Sequence, residues 1–219
     1  MNNLKYRIIY HYFLLTLISL VTTFLFYRVW KNKDAITFIT DVTGYIAIFI
    51  LTVSLVLGPF NLILKRKNPV STYLRRDIGI SGGILAMVHS VTGLFVHLRG
   101  RPWLYFLKET GNSLTVRLDK FGFANYSGLF AALIIILLLA ISNDFSLEKL
   151  KALRWKNLQR LTYVMFVLMI IHSILYRVNA NNNHLIYYLY APMFLIILGL
   201  QIFGFRLVLR NRSEYLKNN

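Results

Sequence analysis

The chain has no cysteine, which excludes disulfides, thiolate-held iron–sulfur clusters and covalent haem attachment through a C-x-x-C-H motif. There is no Gly-rich phosphate loop either. Gly79, Gly82 and Gly83 lie inside an apolar helical run, not between a strand and a helix, so no nicotinamide or flavin domain is visible. Acidic residues are few, 8 against 25 Lys plus Arg. Asp41, Asp77, Asp119 and Asp144 all fall near the ends of apolar segments. That argues against a transporter with its proton path through paired mid-membrane carboxylates. No internal repeat is evident.

What is present is apolar. Hydrophobic residues make up 57% of the 219, a membrane composition. The net charge of +17 raises nucleic acid as a partner, but the basic residues cluster at the ends of apolar runs, as membrane anchoring requires. Nucleic acid is therefore set aside, and lipid is the expected partner. Six runs are long enough to cross roughly 30 Å of hydrocarbon, near residues 8–27, 42–64, 78–98, 121–142, 161–178 and 185–209. The first lacks a following small-residue cleavage site and reads as a retained helix. The expected fold is all-α: one integral membrane six-helix bundle, residues 1–219, in the inner membrane.

Loop charge sets the expected orientation. With the N-terminus inside, inner segments carry sixteen Lys and Arg and outer segments nine, so both termini are expected to be cytoplasmic. Residues 145–158 place Leu147, Leu150, Leu153 and Leu158 among basic residues, the pattern of a short amphipathic surface helix or of a solvated basic loop. Residues 99–121 hold Pro102, Trp103, Tyr105 and Phe106 and read as an interfacial flap over the outer end. Residues 179–183 read as a polar turn.

Two histidines stand out. His89 lies twelve residues beyond Asp77, and His172 twelve beyond Arg160. Taking Asp77 and Arg160 as boundary residues, both rings sit about 18 Å into the bilayer at about 1.5 Å per residue. A polar ring there is costly without a partner. Two at one level suggest a shared one, and a b-type haem iron fits. The third run reads GISGGILAMVHSVTGLFVH, with Gly82, Ala86, His89 and Gly93 on one stripe. Helix packing explains the glycines alone; the histidine among them turns the reading toward a flat macrocycle. Met87, Met165 and Met169 are alternative axial ligands but read as core filler. His97 lies eight residues past His89, about 12 Å further out and about 80° round a continuing helix. It is expected at haem propionates, at an outer acceptor site or as a ligand of a second haem with His184 as partner, or else as an interfacial histidine facing water and headgroups. Arg99, Arg101 and Arg177 stand on the outer side, as cationic partners for propionates or as interface anchors. His11 is assigned no role.

The runs RRDIGISGGILAMVHSVTGLFVH and RWKNLQRLTYVMFVLMIIHSILYR resemble the third and fifth helices of the ferric reductase-like transmembrane family. That family includes the haem-binding membrane subunit of bacterial methionine sulfoxide reductase and, more distantly, NADPH oxidases. The similarity spans about residues 42–178. It implies that His89 and His172 are axial ligands of a b haem in transmembrane electron transfer. Many relatives carry an inner histidine about thirteen residues before the fifth-helix ligand; here Gln159 stands there and Arg76 at the corresponding position before His89, so one haem is expected. The reading is an oxidoreductase subunit without its own flavin or nicotinamide domain. It carries electrons from a cytoplasmic flavoprotein or a quinol to an outer-side acceptor protein. The alternative is a structural or assembly subunit of a larger membrane complex that holds haem without turnover.

Overall fold

The computed structural model describes residues 4–64, 70–98, 100–179 and 184–217. They are mostly helical. The chain begins with α1 (Leu4–Arg7), a π-helical stretch at Ile8–Phe13 and α2 (Leu14–Val29), end to end. Next come α3 (Ala35–Ile63) and α4 (Val70–Gly93). A 3-10 turn (Pro102–Tyr105) and a hairpin of β1 (Leu107–Thr110) and β2 (Ser113–Val116) follow. Then come α5 (Lys120–Ala140), α6 (Asp144–Gln159), α7 (Leu161–Asn179) and α8 (His184–Lys217). Among the described residues, four stretches are long and apolar enough to cross a membrane: Ile8–Val29, Ala35–Ile63, Lys120–Ala140 and Asp144–Tyr176. A shorter apolar stretch, Ala191–Leu207, lies in α8. This is the architecture of an α-helical multi-pass membrane protein.

Caps set several helix starts. The Asp34 carboxylate accepts from Thr37 N at 3.3 Å, and Asp119 from Gly122 N at 2.7 Å. Gly122 is required here: a Cβ would lie 2.1 Å from the Arg117 carbonyl oxygen. α3 runs through Pro59, which cannot donate to the Leu55 carbonyl one turn earlier. Gln201 Nε2 from α8 donates to that carbonyl at 3.0 Å, so no backbone acceptor is stranded in the apolar interior.

The core is built from two helix pairs. α3 packs along α4, α5 along α7, and α4 meets α5 between them. Ala47 and Leu51 from α3, Ala86 from α4, Ala131, Ile135 and Leu138 from α5 and Met165 from α7 form one buried cluster. Gly82 and Gly83 serve this packing. A methyl on them would come within 2.8 Å of Leu51 and 2.9 Å of Leu139. The α2 helix has no fully buried residue; Leu15 and Phe26 pack on the α3–α4 core while most of its other apolar side chains face outward, as lipid contact demands.

The structure refines several sequence expectations. Asp77, taken as a boundary residue, is 0% exposed, bound by Arg7, His11 and Tyr12 at the start of the N-terminal apolar helix. His11, assigned no role from sequence, therefore has a partner. The run 78–98 is not helical throughout, because α4 stops at Gly93. Residues 99–121, read as a flap, hold a 3-10 turn and a short two-stranded hairpin within the mostly helical fold. Gly111, at φ +59°, supplies the hairpin's turn. Residues 145–158 do form a helix, but Lys151 at φ 60° breaks its register. Leu147, Leu150 and Leu158 are half-buried while Leu153 stays exposed, so no single apolar stripe results.

Candidate functional site

α4 delivers His89 and α7 delivers His172 to the same place. Their ring centroids are 6.0 Å apart and the ring planes stand at 87°. Each ring is tethered by a backbone carbonyl of the helix packed beside it. His89 Nδ1 lies 2.8 Å from the Thr40 oxygen of α3, and His172 Nδ1 lies 2.8 Å from the Ala124 oxygen of α5. A carbonyl can only accept, so each Nδ1 carries the proton and each Nε2 keeps its lone pair.

One turn beyond each tether stands a glycine. A Cβ on Gly44 would lie 2.7 Å from His89 Nδ1, and one on Gly128 would lie 2.6 Å from His172 Nδ1. The site therefore has two matching halves. In each, an α-helix supplies a carbonyl, then a glycine four residues on, and the next core helix lays an imidazole across them. Sequence reasoning missed Thr40, Gly44, Ala124 and Gly128. The repeated spacing of four was visible, but nothing in the sequence tied it to either histidine.

The ring separation is what two imidazoles sharing one iron would need, about 6 Å at roughly 2 Å per iron–nitrogen bond and about 1 Å from nitrogen to centroid. Both rings lie deep among neighbouring atoms yet keep accessible surface. Arg76 Nε is the one unpartnered side-chain nitrogen walled in by the described residues; the two Nε2 atoms are not enclosed in that way. No group of three or more His, Cys, Asp or Glu occurs among the described residues. Axial ligation of a macrocycle needs only two protein donors.

The methionines take other places. Met165 is buried in the core cluster, Met169 packs against it, and Met87 lines an apolar groove with Ile84, Val88, Val91, Thr92 and Leu139. At the end of the bundle away from the hairpin, Arg76 Nη1 donates to Asp144 at 2.6 Å and Gln159 Nε2 to Ser142 Oγ at 3.3 Å.

A polar and aromatic crown covers the histidines on the side of the hairpin. Tyr176 packs 4.9 Å from the His172 ring, and its hydroxyl donates to Asn125 Oδ1 at 2.7 Å. Asn125 in turn donates to the Phe121 and Tyr105 carbonyls. Tyr105 is 1% exposed; its hydroxyl donates to the Gly93 carbonyl and accepts from His97 N, both at 2.9 Å. Because α4 ends at Gly93, His97 does not continue outward. It turns back and stacks on Tyr176 at 6.0 Å and 22°. A straight helix would have carried it away. Arg101 pairs with Glu109 on the exposed hairpin. The cation over the crown is Arg117, 4.8 Å from the Phe121 ring and bonded to the Leu104 carbonyl at 2.8 Å. Arg99 lies outside the described residues, as do the side chains of Arg177 and His184.

No curated protein matches the chain. A family model described as "Ferric reductase like transmembrane component" matches residues 43–170, more than half of the chain. The match includes Gly44, His89 and Gly128 and ends two residues before His172. A domain of this kind suggests a role in membrane electron transfer. The chain belongs to the ferric reductase-like transmembrane family.

Proposed function

We propose that this protein is a one-electron carrier of the inner membrane, with His89 and His172 as axial ligands of a single b-type haem. One observation carries the reading: two imidazoles meet edge-on with ring centroids 6.0 Å apart, each fixed through Nδ1 to a neighbouring helix. When bound, the haem supplies a one-electron Fe(III)/Fe(II) couple.

The chain's residues supply position and environment. The Thr40 and Ala124 carbonyls select the tautomer that leaves Nε2 free to ligate, and they orient both rings. The apolar cluster beneath keeps that side dry. The crown of Tyr105, Asn125 and Tyr176 offers hydrogen bonds on the outer side. His97, Arg99 and Arg177 are assigned to the propionate-bearing outer side by their places in the chain, with Arg117 added from its place over Phe121.

Six apolar runs give six crossings, and the distribution of Lys and Arg puts both termini in the cytoplasm. We assign the donor to a flavoprotein or a membrane quinol, and the acceptor to the outer side.

The test is spectroscopic. The purified protein, supplied with haem and reduced, should show sharp visible absorption bands. His89→Ala and His172→Ala should each abolish them in protein that remains folded. A colourless wild-type protein, or full colour in either variant, would overturn the assignment.

A further inference from the structure

The Asp77 cluster lies apart from the histidine pair, toward the opposite end of α4 from the hairpin. Asp77 has both oxygens occupied. Oδ1 accepts from Arg7 Nη2 at 2.5 Å and Tyr12 OH at 2.8 Å. Oδ2 accepts from Arg7 Nε at 3.0 Å and lies 2.7 Å from His11 Nδ1. Arg7 balances the carboxylate charge, so a neutral His11 donating through Nδ1 completes the group. That leaves the His11 Nε2 lone pair with no donor among the described residues. His11 is only 6% exposed, yet its Nε2 is not among the walled-in polar atoms.

The backbone is shaped to make this arrangement. A π-helical stretch at Ile8–Phe13 interrupts the α-helix, and both His11 and Tyr12 reach Asp77 from it. Such π segments occur frequently at functional sites. Aromatic rings flank the histidine. Tyr6 meets it edge-on at 5.9 Å, and Tyr10 packs on Tyr6 at 4.5 Å. Tyr6, Ile9 and Tyr10 are otherwise exposed on a helix whose apolar face looks into lipid.

We propose that His11, oriented by Asp77 and flanked by Tyr6, is a binding site for the head of a membrane quinol. The ligand class follows from the chemistry. A lone pair on a neutral imidazole requires a hydrogen-bond donor. The carboxylate is already balanced, so a second anion gains nothing. The flanking rings favour a flat partner, and the outward face admits one that is dissolved in lipid. A hydroquinone meets all these conditions, its hydroxyl donating to Nε2. This inference rests on the electron-carrier reading, for which it names the donor.

The experiment uses the full chain in lipid nanodiscs, with labelled decylubiquinol under argon as probe and empty nanodiscs for the partition background. Saturable binding is expected. His11→Asn keeps a donor at the Nδ1 position for Asp77 and removes the acceptor at Nε2. It should weaken binding at least tenfold while leaving the thermal midpoint near wild type. His11→Gln, whose amide oxygen reaches the Nε2 position, should bind more tightly than His11→Asn. Binding no greater than in empty nanodiscs, equal binding by a stably folded His11→Asn variant, or competition by anionic phospholipid alone would overturn the proposal. The haem absorption bands are recorded in parallel. Their absence would strike the electron-carrier reading and leave the binding result legible.

Discussion

A single methyl group tests how the histidine pair is held. In Gly44→Ala the new carbon would sit 2.7 Å from His89 Nδ1 and 2.9 Å from its Cε1; in Gly128→Ala the distances to His172 are 2.6 and 2.9 Å. Ordinary contact begins at 3.4 Å, so the ring must retreat by roughly 0.7 Å. A retreat of that size takes the 2.8 Å tether to the Thr40 or Ala124 carbonyl beyond about 3.2 Å, where such a bond is largely lost. The lost bond costs about 0.5–1.5 kcal/mol and the crowding about 1–3 kcal/mol. Loss of an outer partner of a ligating histidine typically weakens metal affinity about 10–100-fold. Titration of the apoprotein with haem, followed by absorbance, should show a weakening of that size in each variant, alongside a modest fall in thermal midpoint. Gly199→Ala is the reference, since its Cβ would meet nothing within 4 Å. Wild-type haem affinity and an unshifted spectrum in both Gly44→Ala and Gly128→Ala would refute the claim that these glycines seat the rings.

Three further outcomes are expected. Asp77→Asn leaves the Arg7 guanidinium without its counter-charge; breaking such a pair costs about 3–5 kcal/mol, and the partial exposure of Arg7 places this case near the lower end. Thermal unfolding should drop by several degrees, and an unchanged midpoint would contradict the structural weight given to the cluster. The Gly122 N–H bound to Asp119, aided by Arg117, holds that carboxyl below its ordinary range. Its folded value lies below its unfolded one, so the cap contributes fully above about pH 4 and fades as pH falls through the lowered value. The stability gap between wild type and Asp119→Ala, about 1 kcal/mol at neutral pH, should therefore close in acid; a gap that persists at the lowest pH would count against the cap. Gln201→Leu strands the Leu55 carbonyl that Pro59 cannot serve, and should cost about 1–3 kcal/mol in a denaturant or thermal melt. Equal stability would mean the carbonyl finds another donor.

Much of the architecture was legible in the sequence because hydrocarbon imposes a simple rule. Apolar runs near twenty residues must become helices. The expected runs 42–64, 121–142 and 161–178 correspond to α3, α5 and α7 with small shifts at their ends. Those shifts have local causes. Asp34 caps α3 earlier than hydropathy suggests, and α4 stops at Gly93, whose carbonyl Tyr105 binds. The choice of His89 and His172 also came from the sequence, and the structure brings the two rings together.

The sequence alone determined the membrane class and the helical runs, and it singled out the two histidines that the fold brings together, because each depends on composition or on spacing along one helix. Only the tertiary structure decided what holds those rings. The Thr40 and Ala124 carbonyls lie 49 and 48 residues before the histidines they orient, and backbone acceptors carry no side-chain signature. The same holds for Asp77, whose partners lie 65 to 70 residues away on the N-terminal helix. It also holds for His97, which returns to Tyr176 because its helix ends early. Contacts between helices are set by which faces meet, and that is fixed only when the bundle assembles.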